Sequence, residues 1–126
     1  MDIRKMEKAA VAALEDIKGR DIVVLKVAHL TPLFERVIIA SADSTRQVKA
    51  LADNVCEKLK AIGAKVYSTE GEESGEWVLV DLGALIVHVM QPAIRQYYNL
   101  EELWDQPEPK KPRLRKKAEA TQPAAG

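Results

Sequence analysis

The sequence predicts an α/β (α+β) domain in which a mixed five-stranded sheet is flanked by helices. Three observations lead there. Short Val- and Ile-rich runs have strand length. Two longer stretches repeat apolar residues every three or four positions. The resulting order is α-β-β-α-β-β-β-α. At 126 residues, 47% apolar and 30% charged, the chain has the composition of one ordinary globular domain.

Taken in order, Ile3, Met6, Ala10, Ala13, Leu14 and Ile17 recur at helical spacing, and Gly19 can end that helix. Residues 21–27 (DIVVLKV) read as a strand, broken by the loop around Pro32, and residues 35–42 (ERVIIASA) as a second. Ser44 and Gln47 fit a capping box, in which the hydroxyl accepts from the amide three residues on and the glutamine reaches back. Val48, Leu51, Ala52, Val55, Leu59 and Ile62 form the stripe of the helix behind it, which Gly63 closes. Residues 64–68 (AKVYS) read as a third strand.

The central stretch is 70–90 (EGEESGEWVLVDLGALIVHVM), two apolar runs, 77–82 and 84–90, about a tight turn at Gly83. With side chains alternating between faces, Val78, Val80, Val87 and Val89 point inward. Trp77, Leu79, His88 and Met90 then share the outer face. Such an apolar patch with a polar accent is either a docking surface or core under further helices, and periodicity alone leaves both open. Gln91-Pro92 opens a last helix carrying Ile94, Tyr97, Tyr98, Leu100, Leu103 and Trp104. Most of the aromatic residues fall in this last third, which marks that end of the domain for a partner or a second copy of the chain.

The zero net charge conceals an asymmetry. Residues 105–126 hold six basic residues against three acidic ones, a balance of +3, so residues 1–104 carry −3. The expected division is therefore a domain over 1–104 and a disordered Pro-, Lys- and Arg-rich tail over 105–126. An acidic domain is a poor nucleic-acid binder, although the tail can make weak, salt-sensitive contact with phosphate. No apolar stretch reaches the eighteen residues of a membrane span, and the charged N-terminus is unlike a signal peptide, so the expected compartment is the cytoplasm. The lone Cys56 reads as a half-buried structural thiol.

Little in the sequence does chemistry. His29 and His88 lack ligand-spaced partners, and GEESG (71–75) has neither the spacing nor the helix of a phosphate loop. The enzymatic alternative is metal-dependent nucleotidyl transfer at the helix N-terminus near Ser44. It must rely on the isolated Asp43 and Asp81, since there is no Asp-x-Asp pair. No catalytic, cofactor-binding or metal-binding residue is therefore assigned.

Four segments together carry a resemblance: STRQVKALAD (44–53), EGEESGEW (70–77), VDLGALIVHVMQ (80–91) and RQYYNLEELW (95–104). In this order and spacing they resemble the ribosomal silencing factor family RsfS, also called Iojap or YbeB. The resemblance implies a nucleotidyltransferase-like fold without catalytic residues, and a homodimer. It further implies binding to ribosomal protein L-fourteen on the large subunit, which blocks joining of the small subunit and lowers translation in starvation or stationary phase. The tail over 105–126 lies outside the resemblance, and on a ribosome its phosphate contact would be a weak one to ribosomal RNA. Carried over by motif position, the partner-binding residues are Trp77, Leu79, His88 and Met90, with Arg46 and Glu70 as polar flankers. Gln47 stands where many members carry histidine, and Ala84 where many carry an acidic residue, so Ala84 is not counted as a contact.

Overall fold

A computed structural model describes residues 1–104. The elements are α1 (Ile3–Asp16), β1 (Arg20–Lys26), β2 (Arg36–Ser41), α2 (Thr45–Ala61), β3 (Ser68–Glu70), β4 (Trp77–Asp81), β5 (Leu85–Met90), α3 (Pro92–Tyr98) and α4 (Leu100–Trp104). The expected tail over 105–126 lies outside the described residues.

The strands form one mixed sheet in the order β1-β2-β5-β4-β3. β2 and β5 run parallel, and the remaining neighbours pair antiparallel. A parallel pair needs a long crossover, and the chain between β2 and β5 supplies it through α2 and the β3–β4 hairpin. β5 lies at the centre, and all six of its residues are buried.

One face of the sheet is sealed. Ile38, Ala40, Val78, Val80, Val87 and Val89 pack against the apolar stripes of α1 and α2 and lose all contact with solvent. The inward set predicted by alternation is therefore the one observed. On the other face a smaller cluster of Val27, Val37, Ile39 and Met90 lies against Phe34, Ile94, Leu100 and Trp104.

Local rules account for most boundaries. The Ser44 hydroxyl accepts from the Gln47 amide at 3.1 Å, capping α2 as expected. The return bond differs: Gln47 Oε1 accepts from the amide of Asp43, and its Nε2 donates to the carbonyls of Ile17 and Lys18. This glutamine therefore ties α2 to the end of α1 as well as closing its own cap.

The third strand begins at Ser68, four residues later than the sequence predicts. At the end of α2, Gly63 (φ +92°) donates to Lys60 O and Ala64 to Leu59 O, a Schellman arrangement. The Ala64 amide is spent on the helix, so the ladder starts further on. The expected last helix is two short ones, because Asn99 adopts the left-handed conformation (φ 48°, ψ 54°) and interrupts it. Gly83 (φ +85°) makes the predicted tight turn, donating its amide to Asp81 Oδ1 at 2.8 Å. Cys56 is half-buried, and burial raises its pKa.

Candidate functional site

The second face of the sheet is only partly covered. β4 sets Trp77, Leu79 and Asp81 on it, directly opposite Met90, His88 and Ile86 of β5. α3 and α4 fold back over the β2–β5 end and leave the β4–β3 side open.

Aromatic contacts organise the open part. Trp77 Nε1 donates to His88 Nδ1 at 3.0 Å. Tyr98 packs against the indole at 4.9 Å between centroids, its ring tilted by 52°, and Tyr97 meets Tyr98 edge-on at 5.0 Å. At the other end Trp104 meets the edge of Phe34 at 5.5 Å. Between these pairs runs a groove of about 330 Å³, floored by Leu79, Ile86 and His88 and walled by Phe34, Leu103 and Trp104. It continues into a recess of about 260 Å³ at Glu70, Gly71, Trp77 and Leu79. Glu70 and Asp81 are the charged residues lining the two, so the groove is apolar with an acidic rim.

His88 is the polar residue of this floor, and it is 7% exposed. A buried imidazolium would lose its hydration, and burial lowers the His88 pKa to about 4. The ring is therefore neutral near pH 7. Since Nδ1 accepts from Trp77, the proton sits on Nε2. Arg95 fixes the cover on this face. It donates twice to the Glu101 carboxylate, at 2.9 and 3.0 Å, and once to Ser41 Oγ at 2.8 Å. These hydrogen bonds lower the Glu101 pKa.

The structure brings together four of the six residues expected at the partner-facing surface. Trp77 and Leu79 are half-buried, His88 lines the groove, and Glu70 stands exposed opposite Leu79 on β3. Met90 requires a correction: it is fully buried. Pro92 starts α3 two residues later, and Ile94, Leu100 and Trp104 join the cluster around the thioether, so Met90 supports the surface from beneath. Arg46 is exposed near the start of α2, on the layer covering the opposite face, and does not line the groove. Phe34 and Tyr98 belong to the surface but were not singled out from the sequence. The concentration of aromatic residues in the last third pointed towards Tyr98, whereas nothing in the pattern marked Phe34.

The carboxylates of the enzymatic alternative are occupied elsewhere. Asp43 forms an ion pair with Arg20, and Asp81 caps the Gly83 turn. Among the described residues no three His, Cys, Asp or Glu side chains cluster to hold a metal ion.

Comparison with known proteins identifies the family and the fold. A family model described as "Ribosomal silencing factor during starvation" matches residues 1–125. The chain belongs to the ribosomal silencing factor family. A relative in Chromobacterium violaceum, named ribosomal silencing factor RsfS, is 57% identical over 104 residues, covering 82% of this chain and 85% of the relative. A crystal structure from the same organism superposes with a TM-score of 0.82 at 55% identity, covering 87% of this chain and 92% of the other. A mouse protein named "Mitochondrial assembly of ribosomal large subunit protein 1" is 30% identical over 97 residues, which is 75% of this chain and 42% of the mouse protein. Members of the family thus share this α+β sheet. No described helix is long and apolar enough to cross a membrane.

Proposed function

We propose that this protein binds the large ribosomal subunit through the open sheet face around Trp77, Leu79 and His88. Protein L-fourteen is the partner, and a bound copy stands in the way of the small subunit. Translation falls as a result when nutrients are scarce or in stationary phase. The protein acts in the cytoplasm by occupying a surface rather than by catalysis, and it forms a homodimer.

The observation that carries this reading is the half-covered sheet face itself. A chain able to seal one side of its sheet with aliphatic residues leaves an aromatic, acid-rimmed groove on the other. The names of the relatives supply the ribosomal context, and that of the mouse protein the large subunit.

Co-sedimentation with isolated large subunits tests it. Wild type pellets with the subunit, and Trp77→Ala, shown folded by circular dichroism, stays in the supernatant. Truncating a central interface tryptophan costs about 2 kcal/mol or more of binding, roughly thirtyfold. Equal binding by the two proteins moves the docking surface elsewhere. Failure of wild type to pellet removes the functional reading.

A further inference from the structure

His88 is spent on only one of its two ring nitrogens. Nδ1 accepts from Trp77, which leaves a neutral ring whose single N–H is on Nε2. Among the described residues none accepts from that N–H, and His88, a residue only 7% exposed, lines the groove. A donor that lines a groove gains most from an acceptor that a bound partner brings as the groove closes over it. The surroundings narrow what can supply the acceptor. The groove walls are apolar, and the charges that line them, Glu70 and Asp81, repel phosphate and favour cations.

Resting on the reading that this face docks a partner, we propose that His88 is its specificity-determining donor. Nδ1 orients the Trp77 indole. Nε2–H bonds a main-chain carbonyl, or an equivalent neutral acceptor, of a protein segment lying along the groove with basic side chains towards Glu70 and Asp81. The same ring thus fixes the apolar anchor and reads a polar group of the partner, which makes the surface selective as well as adhesive.

Two near-isosteres separate the two roles. In His88→Asn the amide oxygen falls near the place of Nδ1, so the indole keeps its acceptor while the groove loses its donor. In His88→Gln an amide nitrogen reaches the place of Nε2, so the groove keeps its donor while the indole loses its acceptor. Each variant is checked by circular dichroism, by the Trp77 indole N–H resonance, and by co-sedimentation with large ribosomal subunits.

The expected result is that His88→Asn leaves the indole resonance in place and weakens binding roughly tenfold. His88→Gln moves the resonance yet binds within about threefold of wild type, because Tyr98 still packs against the indole. Glu70→Lys weakens binding by a comparable factor. The assignment is overturned if His88→Asn binds like wild type, or if the Asn and Gln variants lose binding equally, which is what a ring that only fills space would do. Stronger binding by Glu70→Lys would assign the groove to nucleic acid, and a changed monomer–dimer balance in His88→Asn would assign it to a second copy of the chain. Either result overturns the proposal. If wild type itself does not pellet, the functional reading fails first; if wild type pellets and His88→Asn pellets equally, only the role of His88 falls.

Discussion

The two faces of the sheet are made by alternate residues of the same strands, yet they serve different ends. On the α1–α2 face the packing is closed and mostly aliphatic: Val78, Val80, Val87 and Val89 meet Leu14, Leu51 and Val55 with no solvent contact, and Arg36, at the end of β2, is paired with Glu7 of α1. On the α3–α4 face, one residue along, the chain places an indole, an imidazole and two carboxylates, and covers only part of them. The first face supplies stability, because close-packed aliphatic surface has no polar group left to satisfy. The second holds less apolar burial and a donor, His88 Nε2–H, that no described residue accepts from, and so it retains a capacity to bind.

The sharpest test of this division is to damage the closed face alone. Leu51→Ala removes a fully buried side chain between α2 and the sheet, and should destabilise the fold by about 3 kcal/mol in urea denaturation. Large-subunit binding per folded molecule should not change. A loss of affinity larger than the loss of folded protein would mean that the two faces are coupled.

Acid provides the next test, on the open face. The unfolded chain takes up a proton at His88 below about pH 6.5, whereas the folded protein does so only near 4. The stability that the neutral ring contributes is fully present above 6.5 and is lost as pH falls towards 4, about 3 kcal/mol across the window. A stability–pH curve for His88→Asn should lack this component, so the stability of wild type relative to the variant should fall by about 3 kcal/mol between pH 6.5 and 4. Carboxylates such as Glu101, whose own stabilising effect is lost at lower pH, act in both proteins and cancel in the difference.

The smallest effect concerns the cover. Arg95→Met removes the bonds that hold α4 to α3 and α3 to Ser41, yet leaves Glu101 partly hydrated. We expect a loss of about 1 kcal/mol, seen as a fall of several degrees in Tm. Amide hydrogen exchange should quicken in residues 100–104 and stay slow in β5. Exchange that quickened equally in β5 would show that the cover belongs to the cooperative core.

Much of this was legible in the residues because the rules involved are local. Period two put four valines on one side of the hairpin, Ser44 and Gln47 announced a cap, and Gly63 and Gly83 marked places where the backbone turns left-handed. Where the expectation missed, a competing bond or a longer-range contact intervened. The Ala64 amide went to the helix end and delayed β3, and Asn99, tolerated in a left-handed conformation, split the final helix.

What alternation does not contain is which part of an apolar face remains uncovered. That depends on strand order and on where later helices land. By itself the sequence determined the strands, their inward sides, the helix caps and the outer set Trp77, Leu79, His88 and Met90. Only the tertiary structure decided that β5 lies at the centre of the sheet, that α3 and α4 return over Met90, and that Trp77 and Leu79 of β4, with His88 beside them on β5, still line the groove. The reason is geometric: a period assigns side chains to faces, whereas cover is set by contacts between segments that the chain separates and only the folded packing brings together.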